Sequence, residues 1–565
     1  MAEYFSPGVY VEEIDNSPRP MEGVGTSTAG FVGLAERGPA VGAPVLVTSY
    51  ASYRKQFGGY LSEFTHEEFR YLPTSVEQFF VNGGTRCYVS RVIPDDARKA
   101  KAEAGILEFA AANEGKWGNK ICIEIEGLER RKMQLVAADG DVYTAKSTEG
   151  FREGDIVRVG DEYNRIESIL ENKVIFEKKF VQDVVDDSLL PKTVLYLQEL
   201  QVAVSYQNEV EKYVGVTLNA ASPMYIGTRM EKSALVEVKV LPLDTPEDPV
   251  AAILGEETGT IRLSDGFDGT IGKVNAGTFI GTDNGPGNRT GIQAFIENTN
   301  VSMMAVPGIA IPEVIVSLVA HCENTKSRFA VLDMPKDAVK IDELAEYRSM
   351  VDSTYAAMYH PWLQVFDAST RRPGYIPPSG AVMGVYARTD ANRGVHKAPA
   401  NETVACTGLK VNYTKAEQDL LNPEGINLIR ALPGQGIRIW GARTASSNSG
   451  FRYVNVRRLF IFVEESIKAN TNWVVFEPND ATLWTRVSIA VSSFLEGLWR
   501  AGMLAGESAE EAFFVNIGTD TMTPDDIQNG RLICEVGIAP SRPAEFVIFR
   551  VSHNTGGAAE EGGEE

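Results

Sequence analysis

The chain has 565 residues, of which 44% are hydrophobic and 23% charged, with 52 Gly and 27 Pro. That composition excludes a collagen, a coiled coil and a disordered chain, and the length suits about three or four folded domains. The formal net charge of -22 repels polyanions, so neither nucleic acid nor an anionic membrane surface is an expected partner.

Residues 1–27 hold one short strand candidate, Val9, Tyr10, Val11, Glu12, Glu13 and Ile14, between Pro and Gly breakers. Too few apolar residues surround it to build a core, so it reads as an arm. Residues 28–94 turn to alternating strand and helix. AGFVGLAERGP and PVLVTSYASYRKQFG give a strand, a turn and an amphipathic segment, FRYLPTSVEQFFVNGG a helix stopped by Gly, and TRCYVSRVI a strand. Residues 95–261 lose helical periodicity. Within them FREGDIVRVGDEYNRIESILENKVIFEKKF alternates apolar and polar residues between closely spaced turns, so residues 128–205 are expected to form a small barrel-like module inside a β-rich insertion.

Residues 262–421 return to the α/β pattern: VSMMAVPG is a strand and turn, PEVIVSLVAHCENTK a helix, RFAVLDMP a buried strand and PWLQVFDAS another. Residues 422–540 contain RRLFIFV, which reads as an apolar strand, the helix LWTRVSIAVSSFLEGLWRAGMLAG and a last sheet region. Residues 541–565 hold a terminal strand, Glu545, Phe546, Val547, Ile548, Phe549, Arg550 and Val551, and a flexible acidic end. Apolar groups lie on both sides of that strand, so it wants a neighbour on each edge. A strand at each end of the chain, with no hairpin partner nearby, suits strand addition to other subunits, and head-to-tail contacts that do not close build a helix.

The five cysteines, at 87, 122, 322, 406 and 534, are too widely spaced for a zinc knuckle or a small disulfide framework and read as buried free thiols. The opening MAEYFSPGVYVEEID resembles no signal peptide, and no long apolar run occurs. The expectation is a protein folded in the cytoplasm that inserts in no membrane.

Fragments that suggest chemistry are incomplete. Gly25 to Ala29 (GTSTA) is similar to the serine segment of a subtilisin-type protease, but no histidine is followed by Gly as that chemistry's partner motif requires, so Ser27 reads as part of a turn. GTDNGPGNRTG at 281–291 lacks the GK[ST] end of a P-loop, and His66-Glu67-Glu68 is followed by Arg70 where a zincin helix needs a second His. Asp265, Asp268 and Asp333 could form an acid/base pair only by chance among 76 acidic residues. No catalytic, cofactor or metal residue is assigned. The aromatic residues Trp484, Phe494 and Trp499 read as a core stripe.

Taken in order, LNPEGINLIRALPGQGIRIWGARTASS, YVNVRRLFIFVEESI, WVVFEPND, LEGLWRAGMLAGESAEEAFFV and PSRPAEFVIFRV resemble the C-terminal domain of contractile tail sheath proteins from phages, R-type pyocins and phage-like contractile injection systems. SPGVYVEEI with TSTAGFVG is similar to that family's N-terminal arm, GKWGN to the start of its inserted domain, and GVYARTDANRGVHKAPAN to its central segment. Only residues 128–205 fall outside the resemblance. It implies an α/β multidomain protein: a subtilisin-like, non-catalytic central domain, an inserted outer domain, an α+β inner C-terminal domain and extended strand arms.

By the same resemblance the chain is a structural subunit, six per ring, stacked helically on an inner tube and ending at baseplate and terminal cap proteins. It would be assembled in a bacterial cytoplasm as part of a phage tail or phage-like particle, with no cofactor and no enzyme activity. A non-contractile filament, a surface β-rich protein, which should carry a signal peptide, and a subtilisin-like hydrolase are the alternatives. Between residues 422 and 475 seven basic residues face three acidic ones. Arg457, Arg458 and Lys468 of this segment, with Arg486 and Arg500 beyond it, are therefore the expected tube-facing set.

Overall fold

The structure, a computed structural model, describes residues 21–180, 193–241, 260–367 and 370–548. The arm residues Val9, Tyr10, Val11, Glu12, Glu13 and Ile14, and Phe549, Arg550 and Val551, lie outside the described residues.

The helices of eight or more residues are α1 (Tyr50–Phe57), α2 (Leu72–Val81), α3 (Pro312–Thr325), α4 (Ile341–Ser349), α5 (Ser379–Arg393), α6 (Val454–Asn470) and α7 (Ala481–Arg500). The central sheet has six parallel strands in the order Cys87–Val92, Ala29–Leu34, Met303–Ala305, Phe329–Asp333, Ala356–His360 and Ile426–Leu432. Val45–Val47 adds antiparallel at one edge, and Gly436–Ile439 then Glu402–Thr403 at the other. AGFVGL and FAVLD are buried along their whole length. They carry unbroken apolar runs because helices cover both faces of the sheet.

Helices α2 and α5 share one core with the strands, α3 and α4 the other. On the first side the helix backbones nearly touch: a Cβ built on Gly380 would lie 2.2 Å from the Ser75 carbonyl oxygen. The Ile426–Leu432 and Gly436–Ile439 strands correct the expected boundary at 421/422. Their hydrogen-bond partners are strands of the central sheet, so this sheet continues through Ile439.

After Val92 the chain leaves the sheet and returns at Met303. The excursion builds a three-stranded and a four-stranded sheet around one core containing Trp117, Ile123, Val202 and Val204. Inserted in it is a closed six-stranded barrel whose strands run from Lys132–Asp139 to Val194–Leu197. The flanking strands Cys122–Leu128 and Glu199–Tyr206 pair with each other outside the barrel. Glu199, with a side chain 0% exposed, holds Arg130 at 3.0 Å and Arg131 at 3.7 Å, a clamp at the barrel's point of attachment.

In the C-terminal part, α6 and α7 pack on the hairpin Phe513–Ile517/Cys534–Ile538. RRLFIFV is not a strand but the middle of α6. Most of α6 from Val454 to Leu459 is buried whichever way its side chains point, and a segment enclosed on all sides has no periodicity to reveal it as a helix. Helix α7 starts where Asp480 accepts the Leu483 N–H at 2.9 Å and buries Leu483, Val487, Val491, Phe494 and Leu498. Of the expected aromatic stripe only Phe494 is buried; Trp484 and Trp499 sit half-buried and donate to Asn479 Oδ1 and the Gly506 carbonyl. Cys87 and Cys322 are buried, whereas Cys122, Cys406 and Cys534 are partly exposed.

Two buried histidines make the fold acid-sensitive. Burial, and for His321 the adjacent Arg328, lowers the imidazole to about 4; burial, then Lys410, lowers His360 to about 3. Between those values and the ordinary 6.5 the unfolded chain binds two protons that the folded chain refuses, so stability falls as pH drops through this window. Asp333 opposes this with one proton, since burial raises its carboxyl to about 6 despite donors from Ser379 and Gly308. The net slope from these three groups is about 1.4 kcal/mol per pH unit near pH 5. His321→Gln with His360→Gln should therefore flatten the rise in urea midpoint between pH 5 and 7; an equal rise in both proteins would contradict the assignment.

Candidate functional site

A single helix face gathers the roots of both chain ends. Asn455, Arg458, Phe462, Ser466 and Asn470 recur every three or four residues along α6 and so form one stripe. Residues 22–26 run antiparallel beside it. Asn470 exchanges two bonds with the Glu22 backbone at 2.9 and 3.3 Å, Ser466 Oγ accepts the Val24 N–H at 3.1 Å, and Arg458 Nη2 donates to the Thr26 carbonyl at 3.0 Å. Gly23 lies flat on Phe462, where an added Cβ would come within 2.7 Å of the ring. From there the chain enters the first core strand, Ala29–Leu34, steadied by Arg86 Nε donating to Thr28 Oγ1 at 2.8 Å.

At the other end of the stripe Asn455 Nδ2 donates to the carbonyls of His396 and Ser541, at 2.7 and 3.1 Å. Residues 541–548 therefore leave the subunit from the same helix that holds the N-terminal segment.

The centre of the junction is an ion pair between Arg458 and Asp390, both side chains 3% exposed. It is bidentate, at 2.6 and 3.0 Å, and Thr26 Oγ1 adds a third bond to Asp390 at 2.7 Å. The guanidinium also lies 4.7 Å from the centre of the Tyr386 ring, whose hydroxyl is hydrogen-bonded to that of Tyr359. Burial works against the Arg458 charge, but Asp390 outweighs it and the group titrates above the ordinary arginine value. The pair joins α5 of the central domain, α6 and the N-terminal root.

A second clamp fixes the C-terminal root. Glu545 accepts from Arg443 Nη2 and Nε at 2.7 and 2.9 Å, from Asn422 Nδ2 at 2.7 Å and from the Tyr453 hydroxyl at 2.9 Å. Burial alone would raise its carboxyl; the four donors hold it below the usual range. Immediately beyond, Phe546, Val547 and Ile548 are 72%, 68% and 78% exposed. Glu545 is thus an anchor, and among the described residues 545–548 pair with no strand of their own subunit.

The expected tube-facing set is divided. Arg458 is the buried pair just described, and Arg457 is buried between Phe451 and Tyr355, 3.7 and 4.4 Å from the ring centres. Both are spent on contacts within the subunit, at the buried N-terminal half of α6. Lys468, Arg486 and Arg500 are exposed, each beside a carboxylate: Glu465 at 3.2 Å, Glu477 at 4.0 Å and Glu496.

The fragments that suggested chemistry are tied into structure. Ser27 Oγ contacts Asp390 at 3.5 Å, Asp268 accepts the Lys116 N–H, and Asp333 accepts from Gly308 and from both Ser379 N and Oγ at the start of α5. Among the described residues no group of three His, Cys, Asp or Glu side chains could hold a metal ion, and no helix is long and apolar enough to cross a membrane. Asp390, Thr26, Asn455 and Arg443 were not singled out from sequence. The one usable signal was Asp390 itself, a carboxylate one turn after Tyr386 on an otherwise apolar helix face.

Comparison with known proteins follows this division of the chain. The family description "phage tail sheath protein central domain" matches residues 285–445, and "phage tail sheath C-terminal domain" matches residues 446–554. The chain is 25% identical over 292 residues to a putative prophage major tail sheath protein of Pseudomonas aeruginosa, covering 49% of this chain and 73% of that one. It is 26% identical over 259 residues to the tail sheath protein of Salmonella phage ViI, covering 41% of this chain and 40% of that one. In fold it is similar to a sheath subunit of the extracellular contractile injection system PVC in the contracted state, with TM-score 0.53, 23% identity, and coverage of 98% and 99% of the two chains.

Proposed function

We infer that this chain, which belongs to the contractile tail sheath family, is the repeating structural subunit of a contractile sheath that polymerises helically around an inner tube and contracts to drive it through a target envelope. The observation that carries this reading is the convergence of both chain ends on α6. Asn470, Ser466 and Arg458 hold the N-terminal root, and Asn455 with the Glu545 clamp holds the C-terminal one, so load on either arm reaches a single junction built around that helix. A subunit built to transmit tension between neighbours needs such a shaft. A filament that never changes length does not.

In this reading residues 9–14 and 545–551 add as strands to neighbouring subunits, six per ring, and the ends of the stack meet baseplate and terminal cap proteins. Neither nucleic acid nor membrane insertion takes part. Assembly takes place in a bacterial cytoplasm, and the energy of contraction is stored at that stage, with no cofactor and no enzyme activity. The central domain is taken as a subtilisin-like fold without its chemistry, a reading supported by its parallel sheet between two helix layers and by the structural roles of Ser27 and Asp333. Expressed alone, the protein should form striated hollow tubes under negative stain. A preparation that stays monomeric at high concentration would overturn the assignment.

The tube contact is proposed for the exposed residues Lys468, Arg486 and Arg500. Exposed pairs are worth only about 0–1 kcal/mol each, which suits a contact that must release. Changing all three to Glu should reduce co-sedimentation with the tube at low salt and matter little at high salt; equal co-sedimentation at both would sink the idea.

The barrel is proposed as an outward decoration. Its first and last strands meet where Leu197 N–H donates to the Arg131 carbonyl at 2.9 Å, so a short linker can replace residues 132–197. Tubes should still form. Their loss from a folded, soluble deletion variant would place the barrel in the lattice.

A further inference from the structure

The C-terminal arm leaves the subunit along a groove of about 1080 Å³ with Ala398, Leu432 and Trp440 among its walls. Arg393, Lys415, Arg430 and Arg542 also line it, and none of the four has an ion-pair partner among the described residues. Arg430 donates to the neutral Gln418 side chain at 2.6 Å, while its Nε is buried without a partner. The remaining carboxylates of the lining are Glu545, already taken by Arg443, and Asp419. The groove is therefore cationic in a chain of net charge -22, and its apolar floor strengthens any charge contact made in it.

Residues 556–565 read GGAAEEGGEE, with four glutamates and no basic residue. They follow the groove closely in sequence, since Phe546 and Val547 themselves line it. Eleven residues separate Ile548 from Glu560, a span of about 20 Å for a flexible chain, and so short a tether gives an effective concentration of order mM.

We propose that this cationic groove binds the acidic segment 556–565 of its own chain before assembly, holding the arm back on its subunit. The charges that meet are Glu560, Glu561, Glu564 and Glu565 on the segment and the unpaired cations of the groove. Assembly exchanges this internal contact for a neighbour's surface. That consequence rests on the sheath reading, but the binding itself does not.

The test uses unassembled protein and a fluorescent peptide of residues 554–565. A chain ending at His553 should bind the peptide at low salt and lose affinity about tenfold or more at 300 mM salt. Arg542→Glu with Lys415→Glu, both at the surface, should weaken binding by about tenfold, and a peptide with Gln at the four glutamate positions should not bind. The full-length chain should take up the peptide much less well than the truncated one, because its groove is occupied. Equal uptake by the two chains, binding of the Gln peptide, or no binding by the truncated chain would each overturn the proposal. Tube formation is scored separately: absence of tubes from both chains counts against the sheath reading, whereas a shorter lag in the truncated chain supports the masking role and an unchanged lag refutes it.

Discussion

Arg458→Ala is expected to destabilise the subunit by about 3–5 kcal/mol, more than any other single change considered, because it leaves Asp390 as a buried and unpaired charge. The pair is 3% exposed on both sides, so solvent cannot take the guanidinium's place. The same substitution removes the donor to the Thr26 carbonyl and the cation over Tyr386. The N-terminal root should therefore loosen with the domain joint, seen as faster amide exchange at residues 22–28. Arg458→Met combined with Asp390→Asn removes both charges while keeping bulk, and should recover most of the lost stability. A urea midpoint for Arg458→Ala within experimental error of wild type would show that the junction is not held in this way.

Loss of either arm should abolish polymerisation while leaving a folded subunit. Truncation after Glu545 removes Phe546, Val547 and Ile548 but keeps the clamp on Arg443, Asn422 and Tyr453, so the inner domains have no reason to unfold. Each strand hydrogen bond to a neighbour contributes about 1 kcal/mol net, and a six-residue pairing several kcal/mol per contact before ordering entropy. Repeated along a polymer, that loss decides between tubes and monomers. Deletion of residues 1–20 should have the same outcome, since the described root begins at Met21 and stays packed on the C-terminal core. Val547→Pro offers the gentler form of the test, removing one ladder donor. Normal tubes from all three variants, by microscopy and sedimentation, would exclude the strand mesh.

Much of the architecture was legible because its signals are local. The buried parallel strands AGFVGL and FAVLD announced themselves as short apolar runs between turns, the barrel region by alternation, and α7 as the helix in LWTRVSIAVSSFLEGLWRAGMLAG, although of its expected aromatic stripe only Phe494 is buried. Missing motifs likewise argued against catalysis before any geometry was known, and the ordered C-terminal segments carried the family resemblance. RRLFIFV failed because a helix enclosed by neighbours buries nearly every side chain, erasing the periodicity on which the reading depends.

The tertiary structure alone decided which charges are available. In sequence Arg457, Arg458, Lys468, Arg486 and Arg500 are equivalent basic residues near the same end of the chain. Folding buries the first two against Tyr355, Phe451 and Asp390 and leaves the other three in solvent. The same holds for the arms: sequence placed a strand at each end, but the α6 partners of their roots are 442 and 448 residues away for Val24 and Glu22, and 86 for Ser541. Periodicity and composition report on residues within a few turns of one another. Ion pairs and anchoring contacts between distant segments are set by how the layers pack, and no local pattern encodes them.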